Sequence, residues 1–360
     1  MHWILSGLAI VLSLLLVVGL HEAGHALAAW CFNVKIRRIS IGFGRPLFHW
    51  RSRGGCEWVW SMWPLGGYVE LLNSRIEPVS ASQYVHCFDK KPIWARCIIL
   101  ASGAVANVLV AFLAWVLVLL IGYQQTAPVI SMVKAPSVAA TAGLMPGDRV
   151  LSLAGHRTRS WRAVGMELIM QFGHKNVALV VENKEGKPRV LTLNLQQWHY
   201  QRGDRSLLEA IGLRPDLSKK HSQTVPGLSL LKAVPQAAIT VLDWVVFFLV
   251  MLKQLVTGAI PFLLLLGPLG LFMVIVHSFF QGVVFFLSFI ANLSLAVALI
   301  NLLPLPALDG GSIVYAWVEK IRGKPMSIAF EILLYRLAFI WFCLLLVQLL
   351  LNDAQRYLLA

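Results

Sequence analysis

The chain has 360 residues, of which 58% are hydrophobic and only 13% charged. A soluble chain of that size is about half apolar and about a quarter charged, so a single water-soluble globule is excluded, as are disorder and a secreted disulfide scaffold. The formal net charge of +14 would suit nucleic acid, but basic loops flanking membrane spans give the same excess; no nucleic-acid partner is expected, and the lipid bilayer is.

The first long apolar stretch, Trp3–Phe32, is broken only by His-Glu-Ala-Gly-His at 21–25. It exceeds the roughly 20 residues a span requires, and with no Lys or Arg before it and no small-residue end it reads as a span rather than a signal peptide. His21 and His25 lie on one helical face a turn apart, so their imidazoles can converge on one metal ion. Glu22 sits about 100° round the helix, beside such an ion without ligating it. There it can take a proton from an attacking water and return it to a leaving amine. Nitrogen and oxygen donors without thiolates suit zinc. In a soluble helix this spacing often arises by chance; inside lipid, two histidines and a glutamate are costly and mark a functional site. His25 lies ten residues before Lys35, about 15 Å of helix, which puts the metal inside the bilayer near the cytoplasmic face.

Residues 33–96 carry ten Lys or Arg against Glu57, Glu70, Glu77 and Asp89. By the positive-inside rule this loop is cytoplasmic and the N-terminus outside. Within 36–70, ISIGFGRPLFHW and CEWVWSMWPLGGYV alternate apolar residues with Gly and Pro, the pattern of a β-hairpin dipping into the membrane. Such backbone is tolerated at depth only when buried in protein or lining a wet cavity.

Cys97–Gly122 is the second span and returns the chain outside. Residues 123–220 then read as one small soluble α/β domain. A strand at Val129–Val133 precedes a short Ala-rich helical turn, a Pro-Gly-Asp turn enters a strand at Arg149–Leu153, Ala163–Phe172 has helical spacing, and Val177–Glu182 with Arg189–Leu195 flank the turn KEGK. Residues 236–276 are apolar but interrupted by Asp243, Lys253, Pro261 and Gly267-Pro268-Leu269-Gly270. Val283–Leu303 and Ala338–Leu351 with its flank are further spans.

Asn301-Leu-Leu-Pro304-Leu-Pro306-Ala-Leu-Asp309-Gly310-Gly311 ends the third clear span. Its prolines stop the helix, and Asp309 is expected in a turn permitted by the glycines, as the third metal ligand. For Asp309 to reach the side of His21 and His25, residues 236–276 must cross zero times or twice, giving four spans or six, with both termini and the soluble domain outside. The five cysteines (Cys31, Cys56, Cys87, Cys97, Cys343) show no CxxC spacing, so they are expected to be reduced and to serve packing.

HExGH in the first span, Gly103-x-x-x-Asn107 and NxxPxPxLDG at 301–310 together resemble the site-2 protease family of intramembrane zinc metalloproteases, peptidase M50. PLGGYV at 64–69, RIEP at 75–78, the IGFG segment and VEKIRGKP at 318–325 extend the likeness over nearly the whole chain. The resemblance implies one Zn2+ per chain on His21, His25 and Asp309, with Glu22 as general base and acid. It implies substrate contacts at Asn301, Pro304, Pro306 and Asn107, and at Gly42, Phe43 and Gly44 of the dipping hairpin, whose edge would pair with an unwound substrate strand. It further implies a bacterial inner-membrane enzyme with a periplasmic PDZ-like domain, where such proteins carry two in tandem. Its substrate would be a single-pass membrane protein, an anti-sigma factor trimmed by an upstream site-1-type protease or a signal-peptide remnant.

The expected organisation is therefore a first catalytic membrane part (1–122), a PDZ-like domain (123–220), a membrane-associated apolar segment (221–282) and a second catalytic part (283–360). A membrane metal transporter or sensor would need internal repeats and several polar spans, and neither is visible. An inactive PDZ scaffold would have no reason to keep His21, Glu22, His25 and Asp309 in lipid.

Overall fold

The computed structural model describes residues 2–52, 54–198, 206–262 and 265–357. Helix α1 (His2–Cys31) carries a π-helical turn at Leu15–Gly19, immediately before the HEAGH segment. Such turns place an extra residue in the helix and are frequent at functional sites. Strands β1 (Ile36–Arg51) and β2 (Glu57–Leu71) form the hairpin expected from the alternation. It is curled rather than flat: Ile39 lies opposite Val69 and also beside Trp58, which in turn faces Trp50. Gly42 and Gly44, with φ of 90° and 92°, shape the bend in β1; such angles are disfavoured for residues with a Cβ.

Helix α2 (Ile93–Ile121) follows. It packs on α1 where a Cβ at Gly24 would lie 2.6 Å from the Ser102 carbonyl and 2.8 Å from Ala106 Cβ, so glycine permits the close approach typical of membrane helices. Ala29, Val34 and Ile99, with Phe32, Ile36, Leu71 and Phe88 around them, form an apolar cluster at the base of the hairpin.

The soluble segment begins with β3 (Gly122–Thr126) and β4 (Ile130–Val133), then β5 (Arg149–Leu153), β6 (His156–Arg157), helix α3 (Trp161–Met170), β7 (Val177–Glu182), β8 (Pro188–Leu193), β9 (Leu213–Pro215) and β10 (Ser222–Pro226). The sheet order is β6-β5-β7-β8, with β4 on β9 and β3 on β10 as separate pairs. The β3–β10 pair was not expected. It binds the entering and leaving chains into one two-stranded stalk, with the Leu228 amide donating to the Leu119 carbonyl at 2.8 Å. The core is Leu153, Leu168, Val181, Leu193, Leu195 and Ile211, and Ile260 from beyond the expected boundary packs into it. Residues 123–220 alone therefore do not close this core.

Helix α4 (Leu230–Val256) takes up the first half of the apolar stretch 236–276, with Pro235 in its second turn, and α5 (Pro268–Phe280) follows. Helix α6 (Val283–Asn301) packs Phe286 and Ile290 against Val17 of α1. Helices α7 (Asp309–Arg322) and α8 (Ile328–Tyr357) complete the chain. Among the described residues five helices (α1, α2, α4, α6 and α8) are long and apolar enough to cross a membrane, against the four or six expected. α5, at 13 residues, covers about 20 Å, short of the roughly 30 Å of hydrocarbon. Arg75 donates to Glu331 and to the Met326 carbonyl, and Arg96 bonds both oxygens of Glu319 at 3.0 Å, fastening α7 and α8 to the first catalytic part.

Candidate metal centre

His21 and His25 project from α1 one turn apart, and both are buried. Their Nε2 atoms are 3.2 Å apart, and Asp309 Oδ2 lies 3.3 Å from each. Three donors at such separations outline one face of a tetrahedron: an ion with bonds of 2.0–2.1 Å spaces its ligands by about 3.3 Å. His25 Nδ1 donates to the Ile99 carbonyl at 2.8 Å, so its neutral ring presents the Nε2 lone pair inward. Asp309 Oδ2 is buried without a hydrogen-bond donor. Convergence of lone pairs on an unpaired carboxylate oxygen is repulsive unless a cation sits among them, and the donor set fits zinc.

Asp309 does not occupy a glycine-supported turn, as the sequence reading had it. It opens α7, and the left-handed residue in the preceding turn is Ala307, at φ 71°. Gly310 and Gly311 serve a different purpose, since Cβ atoms there would overlap the carbonyls of Leu302, Leu303 and Leu305. The turn containing Pro304 and Pro306 is thus folded tightly onto the start of α7, which aims Asp309 back at α1.

Asn301, the last residue of α6, brings its side-chain amide to 3.5 Å from His21 Nε2. Asn107, expected at the substrate, is wholly buried with its amide 3.3 Å from His21 Nδ1. The atom set against that nitrogen is Nδ2, with Oδ1 buried and unpartnered; only the amide turned over, with Oδ1 to the ring, would accept an Nδ1 proton and leave the Nε2 lone pair for an ion. Gly42 and Gly44 contribute the bend of β1; the Phe43 side chain lies outside what the structure describes.

Gly103 and Gly67, which the sequence offered only as parts of Gly103-x-x-x-Asn107 and PLGGYV, have roles at the site that it did not assign. A Cβ at Gly103 would overlap His25 Nε2 and the His21 ring, so α2 supplies bare backbone where the imidazoles need room. Gly67 of β2 lies against the stem of Glu22, whose carboxylate accepts the Val69 amide. The available signal was a glycine pair inside a strand pattern, which marks close approach of another group.

A two-histidine, one-carboxylate cluster with an adjoining glutamate, set on a helix of membrane-spanning length, defines a membrane-embedded metallohydrolase. Comparison with known proteins gives the particular family. The chain matches the model of Peptidase family M50 over residues 9–346 and belongs to that family. It is 27% identical to the regulator of sigma-E protease RseP of Escherichia coli, covering 98% of this chain and 99% of the relative. It is 28% identical to the regulator of sigma E protease of Haemophilus influenzae, with the same coverage, and 27% identical to a putative zinc metalloprotease of Vibrio cholerae, covering 92% of this chain and 94% of the relative. The protein is a multi-pass membrane metalloendopeptidase.

Proposed function

We propose that this enzyme holds one zinc ion on His21, His25 and Asp309 and cleaves transmembrane segments of single-pass proteins, with Glu22 as general base and acid. The observation that carries the reading is the triangle of Nε2, Nε2 and Oδ2 atoms 3.2–3.3 Å on a side, on a helix of membrane length. Zinc supplies the Lewis acidity and lowers the pKa of water. The chain's own residues do the rest. The Ile99 carbonyl sets the tautomer of His25 and the Asn107 amide orients the His21 ring, and Glu22 receives the proton of the attacking water and delivers it to the departing amine. Asn301, beside the donors, is placed to bind the substrate backbone, with Pro304 and Pro306 shaping the wall behind it.

A peptide bond in a helix is shielded by its own hydrogen bonds, so the substrate must be extended locally before attack. The edge of the β1–β2 hairpin can satisfy its freed groups. By likeness to relatives named for sigma-E regulation, the substrate is an anti-sigma factor already trimmed by an upstream protease, or a signal-peptide remnant. The enzyme then sits in the bacterial inner membrane, with loop 33–96 cytoplasmic and the domain built on 123–220 periplasmic. That domain is read as a single PDZ-like module. The alignment with the Escherichia coli relative spans 446 positions against 360 residues here, a surplus the size of one small domain.

Glu22→Gln tests the reading. The purified variant is expected to retain zinc and to leave a model transmembrane substrate intact; cleavage at the wild-type rate would remove Glu22 from the mechanism.

A further inference from the structure

Gly67 is a glycine for reasons of space alone. It lies in β2 opposite Ile41, and unlike Gly66, at φ 133°, it is not among the residues of positive φ. An alanine could adopt its backbone conformation, and a glycine in a strand weakens pairing, so conformational freedom does not account for it. A Cβ built there would stand 2.8 Å from the Ser40 carbonyl, 3.1 Å from Glu22 Cγ and 3.4 Å from Val18 Cγ1. The Ser40 oxygen belongs to the paired backbone of β1, next to a fully buried side chain, and cannot retreat without opening the sheet. A Cβ at 67 is therefore pushed off that oxygen towards its other neighbours, and the Glu22 side chain is the one able to give way. Val18 stands one helical turn before Glu22, so β2 is seated along one face of α1.

We propose that Gly67 is a positioning residue for Glu22. β2 acts as a template for the general base, with bare backbone at 67 fixing the stem of the side chain and the Val69 amide fixing its carboxylate. The inference rests on the assignment of Glu22 above and adds a second duty to the hairpin. Besides offering an edge to substrate, it locks a flexible side chain with three rotatable bonds into one pose. Proton transfer requires a base within hydrogen-bond reach of the water, and a misplacement of about 1 Å can cost on the order of 100-fold in rate.

The test is Gly67→Ala in the full chain, assayed on a detergent-solubilised transmembrane substrate alongside wild type and Glu22→Gln, with bound zinc measured for each. The expected result is a fall in kcat of about 10- to 100-fold, with KM and zinc content near wild type. Val18→Ala in the Gly67→Ala background should recover part of kcat by removing the other side chain that a Cβ at 67 meets, so that the added methyl presses less on the glutamate stem. An unchanged kcat, a loss carried by KM, or a loss of zinc would each overturn the proposal, the last two assigning Gly67 to substrate pairing or to the metal site. If Glu22→Gln itself cleaves normally, the mechanism fails; if Glu22→Gln is inactive and Gly67→Ala is normal, only this inference fails.

Discussion

His25 Nδ1 and the Ile99 carbonyl oxygen, 2.8 Å apart, join α1 to α2 by a bond whose consequence is felt on the opposite side of the ring. With the Nδ1 proton committed to a backbone acceptor, Nε2 is left as the lone pair facing Asp309. His21 is met at the same ring position by the Asn107 amide, at 3.3 Å. The second helix therefore contributes no ligand and yet contacts the Nδ1 side of both imidazoles. Such outer partners are commonly worth 10- to 100-fold in metal affinity or activity.

Asn107→Leu preserves most of the volume and removes the amide that meets His21 Nδ1. Zinc affinity or turnover is expected to fall by about 10- to 100-fold, read by competition against a chromophoric chelator and by substrate cleavage. If both stay at wild-type values, His21 does not depend on Asn107 for its orientation.

Gly103→Ala drives a methyl group into both imidazoles, so the variant should purify with little zinc and stay inactive when zinc is added back. Wild-type enzyme stripped by a chelator should recover on the same addition. Gly7→Ala is the control, because nothing lies within 4 Å of a Cβ at that position; it should retain full zinc and activity. Normal zinc content in Gly103→Ala would mean that α1 and α2 can separate without cost at the site.

What could be read from the amino-acid sequence followed local periodicity and local chemistry. HEAGH announces two ligands and a base because helical geometry alone brings residues four apart together. The strand Arg149–Leu153 and the alternation of 36–70 were legible for the same reason. The count of span-length helices was not, because Asp243 and Lys253 fall within α4 without breaking it. The roles of Gly67 and Gly103 were hidden for a different reason. A glycine that makes room for a distant residue does not say which residue that is until the fold brings the two together, and Glu22 is 45 positions from Gly67.

Asp89 gives the loop between β2 and α2 a pH limit. It accepts the Ser74 amide at 2.8 Å and the Ser74 hydroxyl at 2.5 Å. Burial alone would raise its pKa, but the two Ser74 bonds, with Lys90 nearby, hold it below the ordinary aspartate value. A group with a depressed folded pKa stabilises above its unfolded pKa, about 3.9 for Asp, and loses that contribution as pH falls through the lower folded value. Asp89→Asn is therefore expected to be about 1–2 kcal/mol less stable than wild type near neutral pH, with the gap closing below about pH 4. Melting curves of both proteins from pH 7 to pH 3 check this, and a gap that stays constant across the range would rule the ionised carboxylate out as its source.

Asp353 makes a stronger demand on the fold. It is fully buried near the end of α8, and its carboxylate accepts the amides of Gly267, Leu269 and Gly270 at 2.9–3.1 Å. These amides open α5, where the first turn of a helix has donors without intrahelical partners and a partial positive charge. One carboxylate from another helix thus caps α5 in place of a local residue. Asn352 beside it donates to the Phe262 carbonyl at 2.8 Å, so two consecutive side chains of α8 hold both ends of the segment leading into α5. Gly267 and Gly270 leave space for the carboxylate, since a Cβ at Gly270 would come within 3.0 Å of Asp353 Oδ1. Asp353→Ala strands three amides in a buried place and should cost on the order of 3 kcal/mol or more. Asp353→Asn, which keeps the shape and loses the charge, should fall between that variant and wild type. Thermal melting in detergent, paired with limited proteolysis of the 257–267 connection, should rank wild type above Asp353→Asn and Asp353→Ala last. Equal melting temperatures with unchanged cleavage of that connection would show that α5 is held by its apolar contacts and not by the cap.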